Sequence, residues 1–300
     1  MDFTLTDDQQ AVAAAIEQIA EDFGSTPTEA HGFALVSDAL DEALTEAGFF
    51  DIAAVPELGP VTAAVAVEQL ARLPWTTEIA LSMLVGPQLD GDWARPFAVI
   101  ENGRPGRFAA SAKTWIVIDG DQVSIGPASD EVEPVESLFA YPMARLTQAP
   151  GFAALPDDQA RTIRRLLRVA LAAEVAGLMQ GAIDSTVEHL SVRKQFGRPL
   201  GSFQALRHRM AECAVLAGGV RHLALKAAWS GDDGDAALAA LHAQDSATRL
   251  IYDVHQMLGA MGMTLEHPLH LWTYRMKALL SEQGGRGGQA VDVARHCFAA

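Results

Sequence analysis

The chain has 300 residues, 49% hydrophobic and 20% charged, a balance that provides for a buried core and excludes a disordered segment. A formal charge of −16 excludes nucleic acid or an anionic membrane surface as the main partner, although arginines can still cluster locally around an anionic ligand. Two cysteines, Cys213 and Cys297, cannot build a disulfide framework. The opening MDFTLTDDQQ lacks the basic and apolar regions of a signal peptide, and no apolar run reads as a membrane span, so the expected setting is cytoplasmic.

Taken in chain order, LTDDQQAVAAAIEQIAEDFG predicts a helix with Thr6 as N-cap, acids in the first turn, Val12, Ile16 and Ile19 on one face, and Gly24 as its stop. Helical patterns follow at 32–47, 61–72 and 77–84, parted by Pro56, Gly59, Pro60 and Pro74. From Trp93 to about residue 150 the texture changes to short, alternating, β-branched runs broken by Asn-Gly and Asp-Gly turns, which predicts a small sheet region of 4–6 strands. Long helices return at 158–192, 202–229 and 236–259. Two short ones, 269–280 and 289–297, flank the glycine-rich loop SEQGGRGGQA at 281–290. The chain therefore reads as mainly α with a small β insert: an N-terminal helical domain (1–92), a reduced middle β domain (93–150) and a C-terminal helical bundle (151–300).

Two segments carry candidate chemistry. The turn at 193–210 gathers Arg193, Lys194, Arg198, Arg207 and Arg209 around Phe196, Phe203, Gln195 and Gln204 in an otherwise acidic protein. A solvated helical corner has this composition. So does a site for a phosphate joined to an aromatic heterocycle, as in an adenine nucleotide, held by charge-assisted hydrogen bonds and stacking. In the second segment, Gln256 is followed by Gly259, Ala260, Met261 and Gly262, either a helix C-cap or a place where backbone amides meet a ligand. His267 and His270 have poor spacing for a metal and Pro268 between them, so no metal is expected.

Together these segments resemble the FAD-dependent acyl-CoA dehydrogenases. The family motif R-x-x-F-G-x-x-(I/L)-x-x-x-Q is matched by Arg193, Phe196, Gly197, Leu200 and Gln204. Its later motif Q-x-x-G-G-x-G-(F/Y)-x-x-E-x-P is met by Gln256, Gly259, Ala260, Gly262, Met263, Glu266 and Pro268. The opening MDFTLTDDQ is also similar to the family's start. The resemblance implies helical, β and four-helix-bundle domains in that order. It also implies an FAD whose ADP half docks on a neighbouring subunit through Arg193, Gln195, Phe196, Gln204, Gln256, Gly259 and Ala260. The reaction implied is α,β-dehydrogenation of an acyl-CoA thioester, with electrons passed to an acceptor flavoprotein.

Two departures qualify that reading. The family's T-E-P-x-x-G-S-D flavin loop is absent, and KTWIVIDG has Val117 where the family's W-I-(T/S) strand has a hydroxyl. The family's catalytic glutamate, aligned through Lys277, falls on Gln283, and the alternative base position before Arg168 holds Leu167. An amide and an isobutyl group cannot accept a proton. Glu282 is the fallback base, expected to face away from Gln283. Arg161, Arg165 and Arg168 are placed to line a CoA channel, with a solvated face or subunit contact as the alternative for the first two. The short middle domain, missing flavin loop and missing base resemble the shortened subunit of actinobacterial heterotetrameric (α2β2) steroid-type acyl-CoA dehydrogenases. The expected partner is then a full-length sister subunit. A self-sufficient homomeric dehydrogenase using Glu282 and a flavin-free helical scaffold are the other readings.

Overall fold

The computed structural model of the chain describes residues 3–27 and 35–298; Met1 and Asp2 of the opening motif lie outside them. Helix α1 (Asp7–Asp22) begins at a reciprocal cap. The Thr6 hydroxyl accepts from Gln9 N at 3.3 Å and the Gln9 side chain accepts from Thr6 N at 3.0 Å, satisfying two amides that a helix start leaves open. Ile16 is fully buried, with Val12 and Ile19 packed beside it, as the spacing predicts.

The helix expected at 32–47 is α2 (Asp38–Glu46); residues 32–34 lie outside the described ones. It starts late because the Ser37 hydroxyl caps it through Leu40 N at 3.2 Å, while Val36 is extended in a bridge to Thr76. Next comes α3 (Gly59–Ala71), buried along most of its length. The helix expected at 77–84 shrinks to α4 (Ala80–Leu84). Its start is displaced by the buried Glu78 carboxylate, which accepts from Leu81 N at 3.0 Å, Ser82 N at 3.3 Å and Phe97 N at 3.1 Å, so Thr77 and Glu78 stay outside the helix.

The middle region forms two three-stranded sheets. Strands β1 (Phe97–Glu101), β3 (Thr114–Asp119) and β4 (Gln122–Pro127) make the first, in the order β1-β3-β4, with β1 parallel to β3 and β3 antiparallel to β4. Strands β2 (Gly106–Arg107), β5 (Val132–Val135) and β6 (Met143–Leu146) make an antiparallel second, in the order β2-β6-β5. Trp115 and Ile116 lie buried on the central strand β3, and Val117 is half-buried opposite Ser124.

The C-terminal half is built on α5 (Asp157–Val192), α6 (Gln204–Ser230) and α7 (Asp233–Leu258). Helix α8 (His270–Leu279) packs on α5 and α9 (Gly285–Phe298) on α7. A short hairpin, β7 (Lys194–Gln195) and β8 (Arg198–Pro199), joins α5 to α6. By length and composition α5 is apolar enough to cross a membrane. Yet 89% of its apolar window is buried inside the fold, so its hydrophobicity is spent on packing on all sides. Gly177 and Gly181 are where other chain segments press closest to it. A Cβ at Gly177 would stand 2.1 Å from Glu68 O, and one at Gly181 2.2 Å from Trp272 Nε1. The expected glycine loop is shorter than its composition suggests: α9 starts at Gly285 rather than at residue 289, and a 3-10 turn occupies Glu282–Gly284. Gln289 accounts for the early start. It is fully buried and reaches back one turn to donate to Gln283 O at 2.9 Å.

Candidate active site

Between the two small sheets and the bundle lies a cavity of about 320 Å³. Its walls come from α4, β1, β2, the middle of α5 and the turn after α8, so distant stretches of sequence meet there. Glu282 and Gln283 both line it, which corrects the expectation that Glu282 would face away.

The floor is a network of charges. Arg107, on β2, donates from Nε to Glu282 at 2.6 Å and from a terminal nitrogen at 3.2 Å, covering both carboxylate oxygens. Its other terminal nitrogen donates to both oxygens of Glu174, on α5, at 2.9 and 3.1 Å. Tyr141 OH donates to Glu174 at 2.6 Å, and the guanidinium lies 4.6 Å from the centre of the Tyr141 ring. Glu174 is buried, Arg107 keeps 12% of its side-chain surface and Glu282 31%. Burial works against the Arg107 charge, but Glu174 and Glu282 outweigh it and hold the guanidinium well above its ordinary value. Burial pushes Glu282 up, with Arg107 opposing. Tyr141 is pushed well above its ordinary value by burial and then by the adjoining Glu174 charge.

Above this floor the turn carrying Gln283 is held from several sides. Gln283 sits in the left-handed region, φ 54° and ψ 41°, which a side chain enters only when its surroundings demand it. Its amide N–H donates to Glu101 at 2.7 Å and its side chain donates to Leu167 O at 2.9 Å. Gln244 on α7, fully buried, donates to Leu279 O at 2.9 Å and Glu282 O at 3.0 Å. Residues 167 and 283, the two positions that the sequence resemblance assigns to a base, are thus hydrogen-bonded to each other. Neither is a carboxylate. Arg168 turns to α9, donating to Gln289 at 3.0 Å and pairing with Asp292, so its donors are engaged within the chain. Arg165 pairs with Asp233 at 3.5 Å, and Arg161 is exposed.

The basic aromatic turn lies on the bundle's surface. Phe196 and Gly197 take positive φ (53° and 81°) in the two-residue turn between β7 and β8, which lifts the Phe196 ring until 87% of the residue is exposed. That ring meets Phe203 edge-on at 6.1 Å, and Arg198 stacks on Phe203 at 4.0 Å. Helices α6 and α7 run antiparallel, and Arg209 bonds Asp253 at 3.1 Å. The start of α6 and the end of α7 therefore share one end of the bundle. His189, in the last turn of α5, meets His267 ring to ring at 5.1 Å and ties the following loop there too. This brings the hairpin and the 256–263 segment to the same end. Arg193, Gln195, Gln204 and Gln256 are exposed there, and none of their side chains has a hydrogen-bond or ion-pair partner among the described residues. Gly259 adopts φ 61° and ψ −133°, a conformation natural to glycine, and Ala260 is exposed within a 3-10 turn. Among the described residues no group of three or more His, Cys, Asp or Glu side chains is placed to hold a metal ion.

The family description "Acyl-CoA dehydrogenase, C-terminal domain" matches residues 160–298. The acyl-CoA dehydrogenase IpdE2 of Mycobacterium tuberculosis is 30% identical over 233 residues, covering 71% of this chain and 70% of that protein. This chain belongs to the acyl-CoA dehydrogenase family. Acyl-CoA dehydrogenase FadE34 of the same organism is 33% identical over 62% of this chain, which spans only 28% of that longer protein. Among solved structures, the Tcur3481–Tcur3483 steroid ACAD superposes with a TM-score of 0.79 at 20% identity, covering 98% of both chains. The ChsE4–ChsE5 complex of Mycobacterium tuberculosis superposes with 0.78 at 21% identity over 100% of both, and these likenesses establish the fold.

Sequence reasoning missed Arg107, Glu174 and Tyr141. A signal for Glu174 was present: it is the lone charge in the apolar stretch VALAAEVAGLM of a buried helix, and a buried carboxylate requires a partner. Nothing in the sequence named Arg107 as that partner.

Proposed function

We propose that this chain is the base-lacking subunit of a heteromeric, FAD-dependent acyl-CoA dehydrogenase, and that its bundle completes the cofactor site of a full-length catalytic sister in an α2β2 assembly. The observation that carries this reading is the outward set Arg193, Gln195, Phe196, Gln204 and Gln256, gathered at one end of the bundle, the four polar members without a side-chain hydrogen-bond or ion-pair partner among the described residues. A guanidinium, an exposed aromatic ring and amides that can donate and accept suit a pyrophosphate joined to adenine. These residues fit the ADP half of FAD, with Gly259 and Ala260 offering backbone beside it. The flavin half fits less well: Val117 offers no hydroxyl, and the cavity on this chain's own side already holds the Arg107 ion pairs.

Bound by these residues in the assembled enzyme, FAD would supply the hydride acceptor for acyl-CoA oxidation, and the partner would supply the base. A steroid-like acyl group, an electron-accepting flavoprotein and a cytoplasmic setting belong to the same proposal. Its support is the likeness to the Tcur3481–Tcur3483 steroid ACAD and the ChsE4–ChsE5 complex. A homomeric dehydrogenase using Glu282 has one observation in its favour, the position of that carboxylate in the cavity wall. It requires Arg107 to withdraw from both oxygens.

The test is the visible spectrum of the chain purified alone and after coexpression with a full-length sister dehydrogenase. A colourless chain that yields a yellow complex is expected, and Arg193→Ala should strip flavin from the complex. Stoichiometric flavin on the chain alone, bleached by acyl-CoA and dependent on Glu282, would establish the homomeric reading instead.

A further inference from the structure

Deepening the base-lacking reading and resting on it, we propose that Arg107 is a tethered plug in this chain's own half-site. Its guanidinium takes the space beside Glu282 that an acyl thioester needs, and keeps Glu282 an ion-pair partner rather than a proton acceptor. Three features of the structure support this.

The first is charge pairing. A carboxylate committed to a cation has its charged form stabilised and is the weaker proton acceptor for it. Both oxygens of Glu282 accept from Arg107, at 2.6 and 3.2 Å. Both oxygens of Glu174 accept from the same guanidinium, and one also takes the Tyr141 proton. All five N–H groups of a guanidinium lie in one plane, so Arg107 forks between the two acids and leaves neither facing the cavity unpaired.

The second is the tether. Arg107 is fixed by strand pairing opposite Met143, with Gly106 opposite Ala144. At Gly106 the strand is pressed so closely on β1 that a Cβ would lie 2.4 Å from Val99 O. The guanidinium thus projects from a strand with no room to slide, across the cavity, onto α5 and the turn after α8. A free cation can leave this place; Arg107 can leave only by abandoning four charge-assisted hydrogen bonds in a buried setting.

The third is the turn itself. Gln244 holds the carbonyls of Leu279 and Glu282, Gln289 holds that of Gln283, and Glu101 holds its N–H. Glu282 therefore cannot turn away from Arg107 by a simple loop movement. The acid beside the cavity is thus held by the chain's own residues, and the surface at the hairpin end is left as the part of the chain to face a cofactor.

The test is calorimetric titration of the full-length chain with butyryl pantetheine, an uncharged thioester that needs no nucleotide contacts. Wild type, Arg107→Met and the triple variant Arg107→Met/Glu174→Gln/Glu282→Gln are compared. The triple variant leaves no carboxylate facing an absent cation, so it carries the test if Arg107→Met does not fold. Wild type is expected to show no saturable binding in the millimolar range, and the folded variants to bind at least about tenfold more tightly. Wild-type binding equal to that of the variants overturns the plug, as does a folded triple variant that gains nothing. A chain that is yellow on its own defeats the base-lacking reading whatever the probe does. A colourless chain whose wild type binds the probe defeats the plug alone.

Discussion

Replacing Gln283 by Glu installs a carboxylate at the position that the resemblance assigns to a base, at a measurable cost in stability. The Gln283 side chain now donates to Leu167 O at 2.9 Å. A carboxylate cannot donate, so this hydrogen bond is lost and a charged oxygen is set against the Leu167 carbonyl, which keeps only its bond within the buried stretch of α5. Such a loss costs about 1–3 kcal/mol. The new charge also enters a wall that already holds Glu101 and Glu282, and these raise its pKa further. Against this stands the start of α9, where a negative charge gains about 0.3–1 kcal/mol. The loss wins, and a net destabilisation of about 1–3 kcal/mol at neutral pH is expected, a fall in Tm of roughly 2–8 °C by differential scanning calorimetry. The raised carboxyl pKa sets the sign of the pH dependence. The penalty is present above that pKa and shrinks as pH falls through it, because the protonated carboxyl donates to Leu167 O again. No dehydrogenase activity should appear in the chain alone. An unchanged or raised Tm would refute the clasp, and turnover of butyryl-CoA would refute the reading of the plugged half-site with it.

Gln244→Met removes both side-chain donors from the carbonyls of Leu279 and Glu282; a loss of about 1–3 kcal/mol is expected, with faster hydrogen exchange confined to residues 279–284. Phe196→Ala and Arg193→Ala change exposed groups, so the chain alone should keep its stability within about 0.5 kcal/mol, while the coexpressed complex loses flavin absorbance. His267 is held down to about 4 by burial first, then by His189 and His270. Its neutral form therefore belongs to the folded state: stability is complete above the unfolded pKa near 6.5 and declines as pH falls toward 4, where the unfolded chain alone takes up the proton. His267→Gln should flatten that decline, by at most about 3 kcal/mol, in denaturant titrations run across this range. Gly181→Ala should cost about 1–3 kcal/mol in the same assay, because the added methyl has neither the Trp272 ring nor the Arg72 carbonyl to displace cheaply.

Much of the fold was legible from local rules. Thr6, Ile16 and the acids of the first turn specify α1 because capping and helical spacing act within a few residues. The alternating runs after Trp93 specify short strands for the same reason. Local rules failed where a distant group intervened. The Glu78 carboxylate caps α4 only because the chain has brought it inside, and Gln289 extends α9 back through glycines that read as loop. That Arg193, Phe196, Gln204 and Gln256 fall within two compact motifs was legible as well, and the fold brings them to one end of the bundle.

The cavity's chemistry was of the other kind. By itself the sequence determined that Gln283 and Leu167, the positions the resemblance assigns to a base, are not acids, and that Glu282 adjoins Gln283 in the chain. Only the tertiary structure decided that the Gln283 side chain bonds the Leu167 carbonyl, and that Glu282 is committed to Arg107, on a strand of the small sheets far away in the chain. The physical reason is that a cap or a pleat is satisfied by neighbours along the chain. A buried charge is satisfied by whichever opposite charge the fold carries to it, and Arg107, Tyr141, Glu174 and Glu282 meet only after the sheets close on the bundle.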